Sequence, residues 1–160
     1  MRIRDAAASD ADAIWAILEP VIRAGETYAL DRDMSRDAAL AYWFGADKQT
    51  LVAEDNEGIV GTYYLRANQP GGGSHVCNCG YITSAFATGR GVARAMCADS
   101  LERARAAGFA AMQFNFVVST NVRAVALWTS LGFAIVGRLP DAFDHPALGR
   151  VDALVMHRAL

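Results

Sequence analysis

The segment Thr88-Gly89-Arg90-Gly91-Val92-Ala93 sets two glycines at the junction of a strand-like run, Val76 to Ala87, and a helix-like run that begins near Gly89. The first N–H groups of a helix have no partner inside it, and they carry partial positive charge. Glycine leaves the main chain open to close approach, so this turn suits a pyrophosphate held by backbone N–H groups. A G-x-G turn also serves as a plain strand-to-helix connection. The anion reading gains weight from a second polar helix start, Ser119-Thr120-Asn121, one strand further on. Two neighbouring parallel strands that each feed a helix leave a crevice beyond their carboxyl ends, where open α/β sheets bind ligands. One helix start would hold phosphates while the other positions the rest of the ligand.

The elements that must position these turns follow from periodicity. Arg2 to Arg4 reads as a short strand, and Ser9 or Asp10 can cap the helix that follows. Ile14, Ile17, Leu18 and Val21 share one helical face, which Pro20 is expected to break or bend. Gly25 to Asp33 reads as a polar and aromatic loop, and Ser35 caps a second helix reaching Phe44. Gln49–Glu54 and Ile59–Leu65 read as strands joined by the turn Asp55-Asn56-Glu57-Gly58. Asn68 to His75, with Pro-Gly-Gly-Gly-Ser, reads as a mobile connection. The helix from Gly89 to Ala107 carries the stripe Ala93, Met96, Cys97, Leu101 and Ala104, and Gly108 ends it. Met112–Val118 is a strand with a nearly continuous apolar run, as buried strands have. A helix from Asn121 to Leu131 follows, then strands at Ala134–Leu139 and Val151–His157 with a long loop, Pro140 to Gly149, between them. This alternation is that of a mixed α/β domain.

A chain of 160 residues and 17.1 kDa fits one domain with one core. A hydrophobic content of 53% with 20% charged residues is globular. A net charge of −2 gives no reason to expect nucleic acid or an anionic membrane as partner. The sequence holds no run of 18 apolar residues, so no membrane span is expected, and the first residues lack the apolar core of a signal peptide. Three cysteines, an odd number, argue against a disulfide framework. A reducing cytoplasmic setting is the expectation.

Taken together, the turns resemble the GNAT superfamily of acetyl-CoA-dependent N-acetyltransferases. That family's first signature, Arg/Gln-x-x-Gly-x-Gly/Ala, is matched by Thr88-Gly89-Arg90-Gly91-Val92-Ala93. Its second, Asn-x-x-Ala-x-x-Leu-Tyr-x-x-x-Gly-Phe, is matched by Asn121, Ala124, Leu127, Trp128, Gly132 and Phe133. The order and length of the elements fit across residues 1–160. The resemblance implies an α/β (α+β) fold. Its central sheet would be mixed and largely antiparallel, with a parallel pair splayed at the acetyl-CoA site and helices flanking it. It implies acetyl-CoA as cosubstrate and no metal, bound through Thr88 to Ala93, Asn121, Ala124, Leu127 and Trp128, with the acetyl group against Ile82 and Thr83. Two departures matter. Thr88 stands where the family has Arg or Gln, leaving Arg90 to supply charge from within the turn. Trp128 stands where the family often has a tyrosine cast as general acid, and an indole N–H cannot give up a proton near neutral pH.

The reaction implied is attack by an amine on a thioester. The amine must lose a proton, and the oxyanion needs a donor that a free N–H on the splayed strand can provide. Glu26, Tyr28 and Asn115 are the candidates for base or acceptor contacts. Glu26 reads equally well as a solvated loop charge, and Asn115, an amide inside an apolar strand, as part of a structural network. Tyr63 and Tyr64 point to opposite faces of their strand, so one belongs to the core and the other to the pocket. Asp144 and His145 lie in the late loop, which could cover the acceptor. Cys77 and Cys79 share a face and read as small buried residues, because a closed zinc site wants four ligands; Cys97 reads as core. The expected partner is a small-molecule or peptide amine, and a homodimer is left open. A longer acyl-CoA, a protein amine, and a non-catalytic acyl-CoA-binding module are the competing readings.

Overall fold

A computed structural model describes residues 1–160. The chain runs β1 (Arg2–Asp5), α1 (Ala11–Ala24), α2 (Arg36–Trp43), β2 (Gln49–Asp55), β3 (Gly58–Ala67), β4 (Val76–Thr83), α3 (Val92–Ala106), β5 (Ala111–Val118), α4 (Val122–Ser130), β6 (Ala134–His145) and β7 (Gly149–Ala159). The seven strands form one sheet in the order β1-β2-β3-β4-β5-β7-β6. Every neighbouring pair is antiparallel except β4 and β5. This is the mixed, mostly antiparallel sheet with one parallel pair that the resemblance implied. No helix is long and apolar enough to cross a membrane.

Alternation along the strands feeds two cores, one on each side of the sheet. Tyr63, Cys77, Cys79, Met112 and Phe114 join α3 and α4 through Met96, Cys97, Leu101 and Trp128. Val52, Tyr64 and Ile82 join α1 and α2 through Ile14, Leu18, Ile22 and Trp43. The two adjacent tyrosines therefore divide between the faces as their strand period requires.

Three expectations are corrected. Pro20 does not break α1, which continues to Ala24 and ends at Gly25 in the left-handed conformation. Ile14, Ile17, Leu18 and Ile22 are buried on both sides of Pro20. Burying each is worth about 1.5–3 kcal/mol, against about 3 kcal/mol for one interior proline. Ile22, not Val21, is the buried residue of the last turn. Second, β4 ends at Thr83 and α3 begins only at Val92. Between them Ala85–Ala87 form a short 3-10 turn, and Gly89 and Gly91 take φ +81° and +79°. Those left-handed angles exclude both glycines from the helix. Third, the expected loop Pro140–Gly149 is mostly strand. Its Pro-Asp beginning is a bulge in β6, where the register slips between Leu139 and Phe143 and Asp141 has φ +50°. Asp152 of β7 holds that bulge, accepting from Asp141 N at 3.0 Å and from Arg138 Nη1 at 2.7 Å.

On the α1–α2 face, Trp43 is fully buried at the end of α2. Its Nε1 donates to Thr62 Oγ1 at 2.9 Å, and that hydroxyl donates to Leu51 O at 2.8 Å. Thr50 Oγ1 donates back to Trp43 O at 2.8 Å. The indole then meets the rings of Tyr64 and Tyr28 edge-on, at centroid distances of 5.0 and 6.2 Å. This buried chain fixes α2 and two tyrosines against β3. Thr62→Val removes the acceptor of a fully buried indole N–H and is expected to cost about 1–3 kcal/mol. Urea unfolding of wild type and variant measures it.

Candidate active site

The parallel pair is short. β4 and β5 are in register only at Val76–Ala111 and Cys77–Met112. At the next residue a side chain replaces the ladder: Asn78, 7% exposed, donates from Nδ2 to Gln113 O at 2.9 Å. Beyond it the strands part, and β5 bends at a register shift between Phe114 and Val117. The fork opens into a cavity of about 370 Å³ whose walls come from both faces of the sheet. Tyr28, Tyr42, Tyr64 and Arg66 line it on the α1–α2 side, and Asn121, Ala124 and Trp128 on the α3–α4 side.

The strand pattern says which main-chain groups face the fork. Ser84 N–H donates to Val60 O at 2.9 Å, so Ser84 faces β3. Alternation then turns Ile82 and Gly80 toward β3 as well, and the N–H and C=O groups of Cys79, Tyr81 and Thr83 toward β5. The Tyr81 carbonyl is taken by Tyr28, whose hydroxyl donates to it at 3.0 Å. Gly80 is required by packing, since a Cβ there would stand 2.7 Å from the Tyr64 ring. The missing side chain lets that ring lie across the fork.

At the start of α3 the N–H groups of Gly89, Gly91, Val92, Ala93 and Arg94 have no acceptor, and Gly91 supplies no side-chain cap. Val92 is buried and seats this end of the helix over Gly61, where a Cβ would come within 2.8 Å of its Cγ1. Thr88, Gly89, Arg90 and Gly91 are exposed. Arg90 turns away from the helix axis to the β2–β3 hairpin, with Nη1 3.0 Å from Glu57 Oε2 and Nη2 2.5 Å from Asp55 Oδ2. Its charge is committed to two carboxylates. At the start of α4, Asn121 Oδ1 accepts from Ala124 N at 3.3 Å, which leaves its Nδ2 to donate. Trp128, 8% exposed, packs on Tyr81 and Phe114 at centroid distances of 5.1 and 5.3 Å, and its indole N–H has no partner in the chain. Leu127 packs against the core but does not line the cavity.

The three catalytic candidates fall apart in space. Tyr28 and Asn115 line the cavity, whereas Glu26 is exposed and outside the lining. Asn115 is at the same time a network member: its Nδ2 donates to Asn68 Oδ1 at 2.6 Å and its Oδ1 accepts from Gln113 Nε2 at 3.0 Å. Asp144 and His145 end β6 instead of covering the cavity, and His145 Nδ1 accepts from Ala147 N and Leu148 N to close the turn into β7. Ile82 and Thr83 both line the cavity. Asn78, Gly80, Tyr42 and Arg66 were not singled out in the sequence. Asn78 carried a signal, an amide between two cysteines in an apolar strand; Arg66 read as an ordinary charge at a strand end.

The lining holds no carboxylate and no histidine. Burial pushes the phenols of Tyr28, Tyr64 and Tyr81 well above their ordinary value. Burial also lifts the Cys77 thiol to about 12 and the Cys97 thiol to about 11, and all three cysteines are buried. None of these thiols is a thiolate at neutral pH.

Residues 13–133 match the model of the acetyltransferase (GNAT) family. The chain is 30% identical over 137 residues to N-acetyltransferase aca1 of Schizosaccharomyces pombe, a match covering 76% of this chain and 66% of that protein. It thus spans slightly less than two thirds of that relative's length. Among solved structures, a GCN5-related N-acetyltransferase from Kribbella flavida is 43% identical with a TM-score of 0.94, covering 99% of this chain and 97% of that one. A GNAT superfamily phosphinothricin acetyltransferase from Sinorhizobium meliloti, in complex with acetyl-CoA, is 25% identical with a TM-score of 0.85, covering 99% and 88%. The family match takes in both helix starts beside the fork, and with it this protein belongs to the GNAT family of acetyltransferases.

Proposed function

We propose that the protein is an acetyl-CoA-dependent N-acetyltransferase that passes an acetyl group directly to a primary amine of a small molecule or peptide. The observation that carries this reading is the forked cavity, open to main-chain groups of β4 and walled from both faces of the sheet. Such a passage lets two reactants meet from opposite sides. Acetyl-CoA supplies the acyl group already activated as a thioester.

The residues fit that cosubstrate. The five unpaired N–H groups at the start of α3 suit its pyrophosphate. Asn121 Nδ2 is free to meet the pantetheine arm, and Ala124 and Trp128 give that arm an apolar wall. The acetyl group would lie beside Ile82 and Thr83, where the Thr83 N–H faces the fork and can donate to the developing oxyanion. Tyr28 and Asn115 act as positioning groups: the first ties the early loop to β4, and the second stiffens β5 through Asn68 and Gln113.

With no carboxylate and no histidine in the lining, the proton of the incoming ammonium goes to water before attack. Holding two reactants in line is worth roughly 7 kcal/mol or more of barrier, and that can stand in for a strong base. A thiol has a pKa of about 8.5, so its thiolate leaves without an acid. Trp128 therefore serves by packing and by its free indole N–H. The direct test is thiol release from acetyl-CoA over a panel of amino acids, polyamines, aminoglycosides and short peptides. Amine-dependent release supports the enzyme; binding of acetyl-CoA with no transfer to any amine supports the binding-module alternative.

Three outcomes follow from this arrangement. Gly91→Glu is expected to weaken CoA binding at least tenfold in calorimetry, by placing negative charge at the phosphate seat. Gly91→Ala separates charge from the strain of a side chain at φ +79°. Trp128→Phe is expected to keep turnover within a few-fold and leave the pH–rate profile unchanged in shape; a collapse of kcat with CoA affinity intact would assign the indole N–H to the transition state. The buried phenols are raised and stay protonated from pH 6 to 9, so kcat/KM for the acceptor should rise with pH along the acceptor's own amine. A series of amines of falling pKa should carry the midpoint down with it. A midpoint that stays fixed would reveal a base in the protein.

A further inference from the structure

One formal charge stands among the residues that line the cavity, the guanidinium of Arg66. It lies near the end of β3, opposite Asn78 of β4 and on the face of the sheet that carries Tyr64. Its Nη1 donates to Asp47 Oδ2 at 3.2 Å. Its Nε is buried and has no acceptor in the protein. Nε and Nη2 form the edge of the guanidinium away from Nη1, so a two-donor edge without a protein acceptor remains on a residue that lines the cavity. A planar pair of N–H donors matches the two oxygens of a carboxylate.

The surroundings do not cancel this charge. Asp47 is 57% exposed on its side chain and is shared with Lys48, whose Nζ lies 3.3 Å from Asp47 Oδ1. Two cations thus share one carboxylate. The Lys48 ammonium sits over the rings of Tyr42 and Tyr64, at 4.6 and 5.4 Å, behind two of the tyrosines that wall the cavity. A multiply cationic amine would enter a site with no carboxylate and a net positive wall. An amine that brings its own anion would not.

We propose that the acceptor is an amino acid or a closely related zwitterion, and that Arg66 holds its carboxylate through the Nε–Nη2 edge. The amine, one carbon away, then points to the fork. Arg66 is on this account a specificity-determining residue of the acetyltransferase reading on which the inference rests, and its first readout is binding.

The test is calorimetric binding to the CoA-loaded protein of N-acetyl-L-amino acids with small, aliphatic, aromatic and acidic side chains, against the matching N-acetyl amino acid amides. Each pair differs only in the carboxylate. The expected result is at least one acid that binds tenfold or more tighter than its amide, with the preference lost in Arg66→Gln while CoA affinity is unchanged. The double variant Arg66→Gln with Asp47→Asn should behave like Arg66→Gln. Recovery in the double variant would mean that the loss came from an uncovered Asp47 and would overturn the assignment. Equal binding of acids and amides, a preference that survives Arg66→Gln, or binding by no acid in the panel would each overturn it as well. Acetyl transfer favouring polyamines would overturn it and leave the acetyltransferase standing. Arg66-dependent acid binding with no transfer to any amine would uphold Arg66 as the seat of a carboxylate and overturn both the acetyltransferase and the acceptor role.

Discussion

The separation of β4 from β5 after Cys77 and Met112 is the feature on which the site depends. A parallel pair that continued would close the sheet and leave no passage between its faces. Asn78 prevents this by placing its amide on Gln113 O, where a main-chain partner would otherwise sit. The cost is a set of β4 and β5 groups without ladder partners in a largely apolar region. Part of that cost is offset locally: the Tyr28 hydroxyl satisfies the Tyr81 carbonyl, and the Asn68–Asn115–Gln113 chain braces β5. What remains unpaired is available to a ligand.

The same burial that shapes the fork sets its electrostatics. Tyr28, Tyr64 and Tyr81 are held neutral by desolvation, so they contribute dipoles and surface but not charge. A neutral wall with a single cation disfavours an alkylammonium and favours the free amine, the only form that can attack. On the proposed reaction, the cavity would perform by exclusion a step that a general base would perform by proton transfer. Rigidity matters more under this arrangement, because positioning carries the rate. The Trp43–Thr62–Leu51 chain supplies it, fixing the helix against which Tyr28 and Tyr64 pack.

Much of this was legible in the chain. Gly89, Gly91 and Asn121 marked the helix starts, because glycine and asparagine have few reasons to stand there in that order. The two faces of β3 followed from a period of two. Pro20 misled because local propensity says nothing about four isoleucine and leucine side chains buried around it. Pro140 and Asp141 looked like a loop because a bulge uses the same residues, and only Asp152, a partner on another strand, keeps the chain in the sheet. Arg66 was invisible as a site, and the amide of Asn78 had no readable role, for a related reason. Their meaning comes from cross-strand register and from the carboxylate that Arg66 does not fully share.

The two helix starts also differ in what each can offer a ligand. At α4, Asn121 caps its own helix through Ala124 N, which lowers the value of that terminus as an anion seat and leaves an amide donor suited to a neutral arm. At α3 the cap position is a glycine with no side chain, and the first N–H groups stay open. Asp55 and Glu57 of the neighbouring hairpin would repel a phosphate brought to that end. Arg90 is placed to neutralise them, bonding both. Its contribution to an anion at α3 is then indirect: it removes the opposing field, and the main chain makes the contacts. On the proposed pyrophosphate seat the turn could dispense with a cationic side chain at Thr88, since five N–H groups and a helix dipole do not need one once the acids beside them are paired.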